Sequence, residues 1–506
     1  MRLCIQTYWE RSEFISPTLK VGNLYGEIMV YMVYVPLGEG AGPKQINKYM
    51  TFKTPIIPLK QTFIGEAKTL DLEAICVFAA TGFFLDQDTY YKEQKVLKPA
   101  CHYEFDADFK TIHSETPYFN WHYTPKERPF EQIVEEFATL FETIIQEQSQ
   151  RKRVILPLSG GLDSRTQAVA LKHLGMDVQA FSYAFDGGHD ETWYGKHISK
   201  ICGFPFQAFQ VPKGYLWNSI EPLSDLNGCY SEFTHPRQMA FLDRYHHMGD
   251  VFNLGHWGDV LFDDMGVPDD LSFEGQVQVI LKKIVKKGGM ALASSLWKSW
   301  GLDGDFESYL QARISALLQE IDIPESANAQ IRAFKSMFWA PRWTSVNLSV
   351  FEAAKPIALP YYDNRMCEFI CSVPERYLAG RQIQIAYIKK RIPKLAKLTW
   401  EAQRPYNLYT YKHNKFPWNL PYRVVNKIKR LTNSQHYIQR NWELQFLGES
   451  NDQALKNWLF ETPSFDTLVE KEVRERFYRL FKEEDAVFYS YPVSILLTLS
   501  VFSKKS

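Results

Sequence analysis

Ser159, Gly160, Gly161, Asp163 and Ser164 sit together in the run VILPLSGGLDSRTQAVAL, Val154 to Leu171, and their types and spacing suit the binding of a charged phosphate chain. The two glycines and Ser159 let the backbone come close to a ligand, so that free N–H groups and the start of the following helix face an anion. Helix polarity contributes only about 0.3–1 kcal/mol per anion near a surface, too little to hold a triphosphate. A hard divalent cation bridging the Asp163 carboxylate to phosphate oxygens would supply the missing attraction. The spacing is not G-x-x-x-x-G-K-[ST], which excludes the Walker loop. The plain alternative is a tight strand-to-helix turn with a helix cap, where serine, glycine and aspartate are ordinary.

The elements around this turn follow from hydrophobic patterning. Val154 to Leu158 reads as a buried parallel strand, and the residues from Arg165 to about Leu174 read as a helix that ends near Gly175. Next come VQAFSYAF, a helix from Tyr194 to Cys202, and FQAFQV. Strand, helix and strand in alternation predict an α/β fold built on a doubly wound parallel sheet, with its ligand at the carboxyl ends of the strands. DVFNLGHWGDVLF, from Asp250, reads as a later strand ending in the same crevice, and beyond Asp270 the chain reads as a helical subdomain. Upstream, the chain to about Tyr118 reads as a small mixed module, with a strand in LYGEIMVYMVYV, a helix in LDLEAICVFAATGFFL and an approach to a strand in KVLKPACHYEFD. The helix of Phe130 to Ser149 leads into the glycine turn.

Composition bounds the rest. A chain of 506 residues should form two or more domains. Lysine plus arginine equals aspartate plus glutamate at 58 each, so no global field recruits nucleic acid or a membrane. Seven scattered cysteines fit a reducing, cytoplasmic setting better than a disulfide framework, and Cys367 and Cys371, four apart, read as one buried helix face. MRLCIQTYWERSEF lacks the apolar core and cleavage site of a signal peptide. The apolar run Ala486 to Phe502 is shorter than the ~20 residues of a spanning helix and contains Pro492, so it reads as a buried terminal helix with no membrane insertion.

SGGLDS resembles the pyrophosphate-binding loop of ATP pyrophosphatases. Together with FDGGHDETWYGKHISKICG, in which Asp190 and Glu191 precede Tyr194 and Gly195, with GHWGDVLF (Gly255 to Phe262) resembling GEGADELF, and with LPYYD (Leu359 to Asp363) resembling VPFLD, it makes the chain similar to the asparagine synthetase family. GEIMVYMVYV and the run from Leu70 to Tyr103 are similar to the latter part of that family's glutaminase domain. The resemblance implies a degenerate, Ntn-type glutaminase-like unit at 1–118 and an ATP-pyrophosphatase unit of the adenine-nucleotide alpha-hydrolase type at 119–506. It further implies ATP and Mg2+ as cofactors, with Asp163 and Asp259 holding magnesium around pyrophosphate, Ser159 and Ser164 bonding phosphate oxygens, and the backbone near Leu158 and Gly255 cradling the adenosine. A helix cap is the other reading of Asp259.

Departures from the family pattern narrow the expectation. Relatives open on a cysteine whose α-amine shuttles a proton; here Arg2 follows Met1 and Cys4 is internal, which predicts no glutamine hydrolysis. His256 replaces the glutamate of GEGAD at a position that faces the reacting groups in relatives, and a neutral imidazole there is a candidate general base for an attacking amine. Asp363 either orients a helix or partners a cation. Where relatives carry a lysine that neutralises charge on the adenylate, this chain offers Gln403 and Arg404, with Lys412 the nearest alternative. The expected activity is ATP-dependent amide formation: a small-molecule or peptide carboxylate is adenylated and its acyl group passes to ammonia or an amine. The alternatives are a non-catalytic ATP-binding scaffold and an intramolecular cyclase of the β-lactam synthetase or lasso peptide cyclase kind. A homodimer is compatible with all three.

Overall fold

A computed structural model describes residues 19–23, 26–30, 50–106, 111–186, 188, 190, 192–233, 237–432 and 443–506. Arg2, Cys4 and Glu191 lie outside the described residues. The first sheet is antiparallel and comprises β1 (Leu19–Asn23), β2 (Gly26–Val30), β3 (Met50–Lys53), β6 (Cys101–Phe105) and β7 (Ile112–Pro117), in the order β1-β2-β3-β6-β7. A two-stranded ribbon, β4 (Phe63–Ile64) with β5 (Lys95–Val96), lies between β3 and β6 in sequence. Alternate residues of β6, namely Cys101, Tyr103 and Phe105, are buried and form a small core with Leu97. The helix expected in LDLEAICVFAATGFFL is α1 (Leu72–Thr81): the Asp71 carboxylate accepts from the Ala74 N–H at 3.1 Å, and Gly82 ends the helix at φ 84°.

The second sheet is wholly parallel, as the alternation of elements predicts. Its strands β8 (Val154–Pro157), β9 (Val178–Phe185), β10 (Phe206–Val211), β11 (Val251–Asn253) and β12 (Ile357–Ala358) run in the order β10-β9-β8-β11-β12. Three consecutive buried residues open β8, the signature of a strand covered on both faces. The cover comes from α2 (Phe130–Ser149), α3 (Asp163–His173) and α4 (Thr192–Cys202). In α2 the stripe Ile133, Phe137, Phe141 and Ile145 recurs every four residues and is fully buried. Gly195 in α4 lets the helix press onto β9, because a Cβ there would meet Ser182 and, at 3.0 Å, the ring of Phe206. After β11 the chain is mainly helical to its end, as expected.

One core joins these parts. It runs from the parallel sheet through α1 and Ile56 to Tyr90, and on to the terminal helix Ala486–Lys505. Tyr90 stacks on Phe502 with centroids 3.8 Å apart and donates from its hydroxyl to the Cys229 carbonyl at 2.6 Å. Every residue from Pro492 to Phe502 is buried, so the single described helix long and apolar enough to cross a membrane serves as core. The six described cysteines are buried and free, with Cys367 and Cys371 on the inner face of helix Asn364–Cys371.

Candidate active site

Neighbouring strands β8 and β11 sit at the centre of the parallel sheet, and the chain leaves them in opposite directions. From β8 it crosses through α3 to β9 on one side; from β11 it continues, after a long helical excursion, to β12 on the other. Where connections diverge in this way a crevice opens beyond the carboxyl ends of the strands. The glycine turn follows β8 and the GHWGD loop follows β11, and the two loops wall a cleft of about 460 Å³, within the range of small-molecule sites. Of the residues singled out from sequence, Leu158, Ser159, Asp163, Ser164, Gly255, His256 and Asp259 border it.

Glycines in the second loop make this contact possible. A Cβ on Gly258 would collide with Asp163 Oδ1 and lie 2.7 Å from the Tyr361 ring; one on Gly255 would lie 2.9 Å from Asp163 Cβ. Gly255 thus lets two loops touch, in addition to bordering the cleft. Within the glycine turn the polar groups bond one another: the Ser159 N–H donates to Ser164 Oγ at 3.1 Å, the two serine Oγ atoms are 3.1 Å apart, and the Gly161 N–H donates to Ser159 Oγ at 3.3 Å. Leu158 donates its N–H to the Phe181 carbonyl at 2.8 Å and accepts from Ser182 Oγ at 2.6 Å, so β9 already engages the backbone expected to cradle adenosine.

Asp163 carries the densest set of interactions. Its Oδ1 pairs with Arg381 and accepts from Gln384 Nε2 at 3.1 Å, and Gln384 Nε2 also donates to Tyr361 Oη at 2.7 Å. Burial raises the Asp163 pKa, opposed by the Arg381 guanidinium and reinforced by the Asp259 carboxylate. Burial works to lower the pKa of Arg381, but the two carboxylates outweigh it and hold the guanidinium charged. Asp259, in contrast, opens onto the cleft, and among the described residues it has no hydrogen-bond or ion-pair partner. Two hard oxygen donors, one of them uncommitted, suit magnesium, which takes one or two protein carboxylates beside phosphate oxygens and water. Among the described residues no cluster of three or more histidine, cysteine, aspartate or glutamate side chains could cage a metal, so any such ion would have to arrive with its phosphates.

His256 is an exposed residue on the wall of the cleft. Desolvation by that wall lowers its pKa and the Asp259 carboxylate works against that, leaving the imidazole neutral at pH 7. Neutral imidazole can accept a proton, although a depressed pKa makes it a weaker base. Lys335, which no sequence motif singles out, also borders the cleft. It opens the π-helical stretch Lys335–Thr344, and its Nζ stands 5.7 Å from the Trp257 ring centroid and 5.1 Å from that of Trp339. Burial lowers its pKa to about 8, with Asp259 opposing.

Six other residues named from the sequence fall elsewhere. Asp363 caps helix Asn364–Cys371, accepting from the Arg365 N–H at 3.0 Å and from Arg365 Nε at 2.9 Å; it orients a helix and partners a cation, away from the cleft. Arg404 donates from Nε to Tyr194 Oη at 2.5 Å and reaches Glu401 at 3.2 Å, so its fork is spent outside the cleft. Gly160 is covered: a Cβ there would lie 2.6 Å from Glu401 Cβ, and the Glu401 N–H donates to the Gly160 carbonyl at 3.3 Å. Gly161 borders the turn and not the cleft. The strap that covers Gly160 is held by Arg165, whose buried guanidinium donates to the carbonyls of Leu398 at 3.1 Å and Thr399 at 2.9 Å. Lys412 is exposed and does not border the cleft, and Asp190 caps α4 by accepting from the Thr192 N–H at 2.8 Å.

No family model and no curated protein matches the sequence. Among solved structures, an NH3-dependent NAD synthetase from Campylobacter jejuni is similar at TM-score 0.21 and 15% identity, over 38% of this chain and 95% of that one. NMN synthetase from Francisella tularensis gives TM-score 0.21 and 12% identity over 41% and 92%. A glutamine-dependent NAD+ synthetase from Acinetobacter baumannii gives 0.16 and 15% over 71% and 55%. At these scores the likenesses assign nothing, and it is the strand order and the crevice that establish an α/β molecule with a doubly wound parallel sheet.

Proposed function

We propose that the protein is an ATP-dependent amide-forming ligase of the asparagine synthetase type, acting without a glutaminase of its own. The observation that carries this reading is the meeting of Asp163, Asp259, His256 and Lys335 around one crevice at the ends of adjacent central strands. In this reading a carboxylate oxygen attacks the α-phosphorus of ATP and pyrophosphate leaves; an amine then attacks the acyl carbon and AMP leaves. Magnesium bound with the nucleotide would neutralise phosphate charge. Asp163 and Asp259 would hold that ion, Ser159 and Ser164 would bond phosphate oxygens, and the Lys335 ammonium would offset negative charge on the departing AMP. His256, neutral, would take the proton from the attacking amine.

Pyrophosphate exchange into ATP, with magnesium and pools of carboxylates, tests the first half reaction. Exchange should depend on a particular acid; Asp163→Asn should abolish it and Asp259→Asn should lower it by at least about a hundredfold. His256→Ala should spare exchange while amide product is lost. ATP binding without exchange for any acid would overturn the ligase reading. A second reading, a nucleotide-binding scaffold, draws on the Arg381 pair at Asp163 and the Glu401 cover on Gly160, both of which occupy groups that a phosphate chain would use.

A further inference from the structure

From residue 402 to residue 442 the sequence holds eight lysines and arginines and no aspartate or glutamate, in a chain whose totals balance at 58 and 58. Within this stretch lies the helix Leu420–Thr432, preceded by two uncovered rings, Phe416 at 74% and Trp418 at 66% exposure. On the helix, Leu420, Val424 and Ile428 recur every four residues, with Val425 beside them, and each is about half exposed. Arg423 and Lys427 line the flank of that apolar face by the same spacing. A fixed base carries the patch: Tyr406 Oη donates to the Trp418 carbonyl at 2.8 Å, buried Asn419 donates to Asn414 Oδ1 at 3.3 Å, and Asn414 donates to Gln403 Oε1 at 2.8 Å.

An apolar helix face edged by cations and led by a tryptophan and a phenylalanine is the arrangement that lies flat in a membrane interface, with apolar groups among acyl chains and cations among headgroups. A second copy docking through the same face would set cations against cations. Nucleic acid would meet the cations and rings but would leave four aliphatic side chains without a counterpart. We propose that the face of Phe416, Trp418, Leu420, Val424, Val425 and Ile428 is a peripheral docking surface for a bilayer bearing anionic headgroups. At 13 residues the helix rests on the bilayer and does not span it. This inference stands independently of the ligase reading.

Cosedimentation of the full chain with vesicles of phosphatidylcholine, with and without about 30 mol % phosphatidylglycerol, tests it. Binding should require the anionic lipid, fall in about 0.5 M salt, and drop about tenfold or more both in Val424→Asp/Ile428→Asp and in Arg423→Glu/Lys427→Glu. Circular dichroism and thermal midpoint should match the parent in both variants. The proposal fails if the parent ignores anionic vesicles, if neutral vesicles bind equally well, or if both folded variants bind undiminished. It also fails if a single-stranded RNA oligomer binds where lipid does not, or if Val424→Asp/Ile428→Asp dissociates a dimer that never binds vesicles.

Discussion

Lys335 holds a charge that the chemistry can use only below a definite pH. Its ammonium, with a pKa lowered to about 8, is protonated at pH 7 and is lost as pH rises through that value. If the ammonium offsets charge on departing AMP, amide formation falls above about pH 8, while Lys335→Arg, whose guanidinium stays charged, keeps its rate into more alkaline buffer. Lys335→Ala should lower the rate by about 10²–10³ below pH 8, the usual consequence of removing one charge-stabilising group, and the gap should close as the parent loses its ammonium above that pH. Rate profiles of the three proteins check this, and an alkaline limb unchanged in Lys335→Arg would assign the titration elsewhere. The glycine turn and the GHWGD loop were legible because each carries its chemistry in a few adjacent letters. Lys335 was not: KSMFWAPRW contains no motif, and only the coiling of Lys335–Thr344 brings Lys335, Trp339 and Trp343, four apart, onto the cleft. Arg404 was legible as a charge but not as a charge already spent, because its partner Tyr194 lies 210 residues away; Asp363 was legible in its cap and its cation, because Arg365 is only two residues on.

At the scale of elements, the position of Asp259 depends on a buried ion pair. Arg332 forks onto Glu375 at 2.6 and 2.7 Å, and the same guanidinium donates to the carbonyls of Val260 at 3.2 Å and Asp263 at 2.9 Å. Both side chains are almost wholly buried. Arg332→Met strands the Glu375 carboxylate and should cost about 3–5 kcal/mol, whereas Arg332→Met/Glu375→Leu should recover most of that. Denaturant midpoints measure the difference. A lowered exchange rate that persists in the stabilised double variant would show that Arg332 also places the loop. The parallel sheet was legible from its alternation with helices, since β8, β9 and β10 are each separated from the next by a helical segment. The strap over Gly160 was not, because it is set by Arg165, whose guanidinium is buried among backbone carbonyls 233 and 234 residues further along the chain.

For the whole molecule, the terminal helix closes the core against segments that come before the parallel sheet. Val493, Ile495, Leu496, Leu497, Leu499, Val501 and Phe502 are buried, and at about 1.5–3 kcal/mol each their burial amounts to roughly 10–20 kcal/mol. That is comparable to the entire net margin of a typical domain, about 5–15 kcal/mol. Removing Ala486 to Ser506 should therefore abolish cooperative folding, seen as a lost thermal transition; a shortened chain that melts as the parent does would assign the helix a lesser role. The apolar run predicted a buried helix, but not its partners Tyr90 and α1, because contacts 400 residues apart leave no periodic trace. The acid-free stretch from 402 to 442 has one more consequence. Because the chain as a whole is neutral, with an isoelectric point near 7.2, the remainder carries an equal negative excess. Neutrality here is therefore a sum of a basic segment and an acidic remainder, and a charged surface that meets the one is not meeting the average of the chain.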